Sequence, residues 1–242
     1  MTRAGEPLTM AMVLAAGLGQ RMRPLTADRP KPLVPVLGRT LLDRVLDRLG
    51  DGGIERAVIN VHYLGDQIVH AVAGRERPRI EISDERDALL DTGGGVRKAL
   101  ALLGDGPFFV QNADSIWIEG PENAIRQMRR NWDGERMDCL LLLAMTTTST
   151  GYTGRGDFAM EPEGRLLRRH ESGVVPFVFA GLSIMHPRLF DKTPEGAFSL
   201  NRIWDEAIER DRLYGMRLEG RWMHVGSPAG LAEAEQALQE MA

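Results

Sequence analysis

A glycine-rich segment that carries several cations follows the first apolar stretch of the sequence, residues 10–14. Its two glycines, Gly17 and Gly19, let the backbone bend and let a polyphosphate approach the backbone N–H groups. A loop that follows a strand is where ligands bind in an α/β sheet. Basic residues are about three times as frequent in this segment as in the whole chain, in which 30 of 242 residues are Lys or Arg. The basic residues of the segment are Arg21, Arg23, Arg29 and Lys31. We therefore expect a polyphosphate site here, with a solvated basic turn as the alternative.

The spacing of the glycines does not fit two common nucleotide-binding motifs. A dinucleotide loop would have a third glycine at Met22 and an acidic residue at the end of the second strand, where this chain has Asn60. A Walker loop would continue with Gly-Lys-Ser/Thr. Lysine is rare, since 27 of the 30 basic residues are arginine, and a compact ammonium suits a phosphate oxygen as a point charge. Lys31, set between Pro30 and Pro32, is therefore a candidate phosphate contact.

An aspartate lies just beyond the apolar stretch 107–112. Asp114 would stand at the carboxyl edge of the predicted sheet, beside the glycine-rich segment. A carboxylate suits Mg²⁺, which keeps several waters and bridges to substrate phosphates. We expect Asp114 to hold Mg²⁺, with a plain turn aspartate as the alternative.

Three consecutive glycines open a helical pattern near residue 93. Each of Gly93, Gly94 and Gly95 would weaken a helix by up to about 1 kcal/mol. Close approach of a ligand to the backbone would explain them, with a turn capped by Thr92 as the alternative.

The elements that must position these residues follow an α/β pattern. Short apolar stretches and helical patterns alternate up to about residue 143, which predicts βα units around a mostly parallel sheet. The expected strands are 10–14, 56–60, 79–83, 107–112 and 138–143, and the expected helices are 41–49, 65–72, 93–103 and 122–130. Strands at 156–160, 164–169 and 175–185 predict a β-rich lid over the carboxyl edge. Helices 199–210 and 228–241 are expected to flank a hairpin at 213–218 and 221–225.

These patterns predict a Rossmann-like, doubly wound mixed sheet with a small β-rich lid. We expect one domain, 1–242, with a flexible start at 1–9 and two halves at 10–145 and 146–242. The sequence has no apolar run of about twenty residues and no apolar start typical of a signal peptide, so a cytoplasmic location is expected. Cys139 is the single cysteine and is expected to be a buried, inert thiol. The net charge of -4 gives no general attraction to nucleic acid or to an anionic membrane, and oligomeric state is not predicted.

The glycine-rich segment, from Leu14-Ala15-Ala16-Gly17 through Gly19, Arg21, Met22, Pro24 and Thr26 to Pro30-Lys31-Pro32-Leu33, strongly resembles the signature of the sugar-1-phosphate nucleotidyltransferases. The resemblance implies that a nucleoside triphosphate and a sugar 1-phosphate are the substrates and that Mg²⁺ is the cofactor. It implies phosphate and nucleotide contacts at Leu14, Ala15, Ala16, Gly17, Gly19, Arg21 and Lys31. It further implies that Gly93 and Gly94 pack on the base and ribose, and that Asp114 binds the metal. Arg21, Lys31 and Asp114 are accordingly the expected catalytic residues.

One position departs from the family pattern. The segment Trp222-Met223-His224-Val225-Gly226 has His224 where the family generally has aspartate, and imidazole is a poorer magnesium ligand than carboxylate. His224 is expected to touch the metal or to hydrogen-bond a metal-bound water or phosphate, with a core histidine as the alternative.

The sugar side of the site and the overall length make the chain similar to the branch of the family that acts on N-acetylmuramate 1-phosphate with UTP, in cell-wall sugar recycling. The resemblance implies sugar contacts at Asn112, Gly156, Asp157 and Glu171. Arg155 could meet a substrate carboxylate such as that of a lactyl ether, with an ordinary surface arginine as the alternative. Asp84 and Glu85 lie at a strand end from which a carboxylate could read the nucleotide base.

Three alternatives remain open at this point. A mannose-1-phosphate guanylyltransferase that uses GTP would share the fold and the signature. Molybdenum-cofactor nucleotide transferases have a related glycine loop, although Pro30-Lys31-Pro32 suits the sugar enzymes better. A catalytically silent, nucleotide-sugar-binding regulatory subunit would explain the histidine at position 224.

Overall fold

In the computed structural model, which describes residues 8–240, apolar strands and amphipathic helices alternate along the first half of the chain. The helices are α1 (Leu41–Asp51), α2 (Gly65–Val72), α3 (Asp91–Leu103), α4 (Ala124–Asn131), α5 (Leu200–Glu209) and α6 (Pro228–Gln239). The strands are β1 (Met10–Leu14), β2 (Pro35–Val36), β3 (Arg39–Thr40), β4 (Arg56–Val61), β5 (Arg79–Asp84), β6 (Phe108–Asn112), β7 (Ser115–Ile118), β8 (Cys139–Met145), β9 (Phe158–Met160), β10 (Leu166–Arg168), β11 (Phe177–Met185), β12 (Leu213–Arg217) and β13 (Arg221–His224).

Within this part of the chain, nine strands form one mixed sheet. Its parallel centre runs in the order β6, β1, β4, β5, so that four carboxyl ends meet at one edge. β11 joins β6 antiparallel and also pairs with β8, which pairs in parallel with β12. The sheet thus draws strands from both predicted halves, 10–145 and 146–242.

Both faces of the sheet are covered by apolar layers. Successive side chains of a strand lie on opposite faces, so one strand packs into both layers. Ala11 and Val13 of β1 pack into the apolar layer formed with α1, α2 and α4. Met12 packs into the layer formed with α3 and α5. Such central strands are continuous apolar runs, as expected for parallel strands buried on both faces. Cys139 lies in this core as a free thiol, and burial raises its pKa.

The structure corrects the predicted hairpin at 213–218 and 221–225. β12 pairs with β8, whereas β13 leaves the main sheet and pairs antiparallel with β7. β7 was not predicted. The backbone of Gly220 passes so close to β7 that a Cβ there would lie 1.9 Å from the carbonyl oxygen of Ile118. The turn between the two stretches therefore separates two sheets instead of closing a hairpin.

The other differences concern the predicted lid and the chain ends. The hairpin of β9 and β10 extends the main sheet beyond β11. Of the segment expected to be flexible, residues 1–7 lie outside the described residues, whereas Leu8 is buried and its carbonyl oxygen accepts hydrogen bonds from Arg129. The predicted end of the last helix at residue 241 also lies outside the described residues. Between residues 8 and 240, no helix is long and apolar enough to cross a membrane.

Candidate active site

The glycine-rich loop begins where β1 ends, at the edge shared with its parallel neighbours β4 and β6. The backbone N–H of Ala15 donates to Asn60 Oδ1 over 2.7 Å, which ties the loop to the end of β4. Gly19 has a φ of 63°, and Thr26 Oγ1 donates to its carbonyl oxygen over 2.8 Å. Hydrogen bonds within the chain therefore fix the path of the loop on both sides of Gly17.

A cavity of about 720 Å³ opens along this loop, referred to below as the first cavity. Arg21 and Lys31 line it on the loop side, and Asp114 lines it from the turn between β6 and β7. Arg23 and Arg29 are exposed and do not line the first cavity. The other predicted loop residues also line it: Leu14, Ala15, Ala16, Gly17 and Gly19. The structure thus brings the three expected catalytic side chains into one space.

Lys31 and Asp114 form an ion pair in the first cavity. Lys31 Nζ lies 2.5 Å from Asp114 Oδ2, and the two side chains are 12% and 39% exposed. A short 3₁₀ turn, Lys31–Leu33, holds the lysine, and Pro30 and Pro32 restrict its backbone. The ammonium is nearly buried, whereas more than a third of the carboxylate side chain faces the open part of the site.

The donor set fits a magnesium ion that is completed by substrate. Among residues 8–240, no cluster of three or more His, Cys, Asp or Glu side chains could enclose a metal ion. Mg²⁺ commonly uses one or two carboxylates together with waters and substrate phosphates. The partly exposed Asp114 carboxylate is a hard oxygen donor of that kind, on the wall that faces the glycine-rich loop.

His224 lies at the end of β13, opposite Ser115 of β7. Burial lowers the pKa of His224, the Lys31 and Arg21 cations lower it further, and Asp114 partly opposes them. Its ring packs edge-on at 6.1 Å from Tyr152 and lies 5.5 Å from Trp222, measured between ring centroids. His224 is therefore neutral near pH 7 and close to the cations, although Gly226, not His224, lines the first cavity.

The three glycines at the start of α3 have close neighbours within the protein. A Cβ on Gly93 would lie 2.4 Å from the Phe198 ring, and one on Gly94 would lie 2.2 Å from the carbonyl oxygen of Gly196. A Cβ on Gly95 would lie 2.8 Å from Asn60 Nδ2. Gly93 and Gly94 do not line the first cavity; the residues before them, Asp91 and Thr92, do. Packing against residues 196–198 therefore accounts for Gly93 and Gly94 without a ligand, and packing against Asn60 and Glu85 accounts for Gly95.

The two carboxylates predicted to read the nucleotide base form hydrogen bonds within the protein instead. Asp84 is exposed and bonded to Arg86, whose hydrogen bonds lower the pKa of Asp84 to about 2. Glu85 is fully buried and accepts from Asn60 Nδ2 over 2.8 Å, and burial raises its pKa. Neither residue lines the first cavity. Glu85 instead orients the amide of Asn60, which in turn holds the N–H of Ala15.

A second cavity of about 300 Å³ adjoins the first and shares Asp91, Thr92 and Asn112 with it. Asp157 lines this second cavity, with one carboxylate oxygen held at 2.9 Å by the backbone N–H of Phe179. Asn201 and the rings of Phe179 and Trp204 complete its wall. Of the four predicted sugar contacts, the structure places Asn112 and Asp157 here.

The remaining predicted sugar residues lie outside both cavities. Gly156 has a φ of 77°, and a Cβ there would meet the carbonyl oxygen of Val175 at 2.2 Å, so its glycine is required by packing. Glu171 and Arg155 are exposed in neighbouring turns. Sequence reasoning missed Asn60, Asp91 and Asn201. The one available signal was a polar residue that closes an apolar strand, Asn60.

The fold and the first cavity together define a class: an α/β nucleotidyltransferase with its substrate site at the carboxyl edge of the sheet. Residues 11–156 match the model of the family described as the MobA-like NTP transferase domain. The N-acetylmuramate alpha-1-phosphate uridylyltransferase of Caulobacter vibrioides is 47% identical over 235 residues, which cover 96% of this chain and 97% of that protein. The protein of the same name from Neisseria meningitidis serogroup B is 34% identical, with 93% and 96% covered.

The chain belongs to the MobA-like NTP transferase family. Among solved structures, a UDP-glucose pyrophosphorylase complexed with UDP-glucose superimposes with a TM-score of 0.76 at 18% identity, covering 97% of this chain and all of that one. The architecture is therefore the Rossmann-like nucleotide-diphospho-sugar transferase fold, as predicted.

Proposed function

We propose that the protein transfers a uridylyl group from UTP to N-acetylmuramate 1-phosphate, releases pyrophosphate, and serves cell-wall sugar recycling. The observation that carries the transfer reaction is the single cavity shared by the glycine-rich loop, Arg21, Lys31 and Asp114. The choice of UTP and of the sugar rests on the two relatives named above, which match nearly the whole chain. The expected cytoplasmic location stays a prediction.

The reaction needs little proton transfer. The second pKa of a phosphate monoester is about 6, so a sugar 1-phosphate is already a dianion near pH 7. It can attack the α-phosphorus of UTP without a general base, and the bond to the β-phosphate breaks as pyrophosphate leaves. Catalysis is then positioning and charge neutralisation.

The residues of the first cavity supply both the positioning and the charge neutralisation. The N–H groups of the loop around Gly17 cradle the triphosphate, and Arg21 and Lys31 offset the charge that builds on the leaving pyrophosphate. Asp114 is the residue that would hold Mg²⁺; a contact of the neutral His224 imidazole with the ion or with its bound water stays a prediction, because His224 does not line the first cavity. The ion would neutralise phosphate charge and orient the reacting oxygens.

The two cavities suggest how the substrates are arranged. The first cavity takes the nucleotide, and the second takes the sugar, with Asp157, Asn201 and the Trp204 ring as its contacts. Asn112 lies on the wall common to both and would face the reacting phosphates. Roles for Glu171 and for Arg155 toward a lactyl carboxylate stay predictions, and they require the turns that carry these residues to approach the second cavity.

A substrate panel tests the proposal. Pyrophosphate release would be measured with UTP, GTP, CTP, ATP and dTTP, each paired with the 1-phosphates of N-acetylmuramate, N-acetylglucosamine, glucose and mannose. We expect one strongly preferred pair, UTP with N-acetylmuramate 1-phosphate. Preference for GTP with mannose 1-phosphate would make the protein a guanylyltransferase. Nucleotide binding without turnover on any pair would instead indicate a regulatory subunit.

A further inference from the structure

Hydrogen bonds join the N-terminal ends of α3 and α5 beside the wall that the two cavities share. The N–H groups of Gly93 and Gly94 at the start of α3 donate to the carbonyl oxygen of Phe198 over 2.8 and 3.1 Å. In return, the N–H of Leu200 at the start of α5 donates to Thr92 Oγ1 over 3.0 Å. The N–H of Phe198 also donates to the carbonyl oxygen of Leu90 over 3.2 Å. These bonds fix the backbone on both sides of residue 91.

These hydrogen bonds hold Asp91 in an unusual backbone conformation. Its φ is 59°, in the left-handed region that glycine and asparagine enter readily and that other residues enter at a cost. The side chain is exposed, and it lines both the first and the second cavity. The fold thus places a carboxylate, not a glycine, at the junction of the two cavities.

One local role of this carboxylate is visible. Asp91 Oδ1 accepts the N–H of the next residue, Thr92, over 2.5 Å. Residues 8–240 make no further hydrogen bond to the Asp91 carboxylate, so its other oxygen can accept one from a bound molecule. The side-chain oxygen of asparagine could accept the same N–H, and asparagine enters the left-handed region readily. The bond to Thr92 therefore does not explain why the residue is charged.

We propose that Asp91 accepts a hydrogen bond from an N–H or O–H donor of a bound substrate and thereby orients that substrate at the junction of the cavities. The inference rests on the proposed function. The donor belongs either to the nucleotide, as a base N–H or ribose hydroxyl, or to the sugar, as a hydroxyl or amide N–H. A carboxylate near a triphosphate repels it. If Asp91 contributed only negative charge, removal of the charge would strengthen substrate binding. If Asp91 accepts a hydrogen bond from the substrate, its removal weakens binding.

The test compares Asp91→Asn and Asp91→Gly with Asp87→Asn. Both Asp91 variants suit a φ of 59°, and the Asp87 variant removes the same charge from an exposed side chain outside both cavities. The measurements are KM and kcat for UTP and for N-acetylmuramate 1-phosphate, calorimetric binding of UTP, and thermal unfolding.

We expect Asp91→Gly, which removes the acceptor, to raise KM for one substrate about 10-fold, since hydrogen bonds to charged groups are worth that much or more. Asp91→Asn keeps a neutral acceptor and is expected to raise the same KM less, with the unfolding temperature unchanged. Weaker UTP binding by calorimetry would locate the donor on the nucleotide, and a rise confined to the sugar phosphate would locate it on the sugar. Unchanged or lower KM values for both substrates would overturn the inference. If the wild type binds UTP without turnover, the proposed function fails, and the inference survives only if Asp91→Gly binds UTP more weakly.

Discussion

Gly17 and Gly19 stand two residues apart in one loop, but the structure requires glycine at only one of them. Gly19 has a φ of 63°, and a Cβ there would press on Lys31 and Thr26. At Gly17, a Cβ would meet no atom within 4 Å, and its φ lies outside the left-handed region. A demand for glycine at position 17 therefore comes from a ligand and not from the fold.

We predict that Gly17→Ala raises KM for UTP about 10-fold or more, because the methyl group would occupy space taken by the phosphates, while the unfolding temperature stays unchanged. Steady-state kinetics and thermal unfolding check this. Gly50→Ala, within α1, is a matched control whose new Cβ meets only ordinary contacts at 3.7 Å or more. An unchanged KM in Gly17→Ala would remove the phosphate contact from this part of the loop.

Residue types near the site were only partly readable from the sequence. Arg21, Lys31 and Asp114 were predicted to meet, and they line one cavity. Asp84 and Glu85 were expected to read the base, but a nearby guanidinium and a buried amide engage them. Strand ends identify which residues reach the edge of a sheet, whereas the direction of a side chain depends on partners that only the folded chain provides.

At the scale of elements, Gly93 and Gly94 of α3 pack against the chain before α5. We predict that Gly94→Ala destabilises the protein by a few kcal/mol, because its Cβ would lie 2.2 Å from the carbonyl oxygen of Gly196 and overpacking typically costs about 1–3 kcal/mol. Chemical denaturation measures the loss. Wild-type stability in this variant would show that residues 196–198 pack more loosely than the structure indicates.

A histidine makes the stability of a short 3₁₀ turn depend on pH. His186 Nδ1 accepts the N–H of Arg188 over 3.2 Å and caps the 3₁₀ turn Pro187–Phe190. Burial, and next the Arg188 cation, lower the pKa of His186 below its usual 6.5. Protonation would remove the acceptor, so the stability that neutral His186 contributes is present above pH 6.5 and is lost as pH falls through its lowered folded pKa.

We therefore predict that the free energy of unfolding falls less between pH 7.5 and pH 5 in His186→Asn than in the wild type, since asparagine keeps a side-chain acceptor for the cap without titrating. Urea denaturation at several pH values checks this. Equal pH dependence in both proteins would mean that His186 does not contribute to it.

Several elements could be predicted from local pattern, and the errors have a common cause. The bounds of β1 and α2 agree with the prediction, because each is an uninterrupted pattern between turn signals. β7 was missed because it has only four residues and its partner lies far along the chain, and β13 was paired with its sequence neighbour. Its true partner is β7, about 100 residues earlier in the chain. Pairing at that distance leaves no local signal.

At the scale of the whole molecule, the site depends on contacts between distant parts of the sequence. The wall between the cavities joins residues 90–94 to residues 198–200, and Lys31 meets Asp114 across 83 positions. The residues predicted from the glycine-rich segment line the first cavity together, because one contiguous segment carries them. The second cavity draws its lining from α3, β6, β11, α5 and the loop before β9, and of the predicted sugar contacts only Asn112 and Asp157 line it.

We propose that Asp114 acts in catalysis opposite the cation-lined loop of the first cavity, and the variant Asp114→Asn removes its charge. Turnover of UTP with N-acetylmuramate 1-phosphate would be measured in the presence of Mg²⁺, with Asp105→Asn, an exposed carboxylate at the opposite end of β6, as control. Loss of one preorganised electrostatic group predicts a fall in kcat on the order of 100-fold or more, with UTP still bound and the control unaffected. Turnover of Asp114→Asn within a few-fold of the wild type would mean that Asp114 does not act in catalysis.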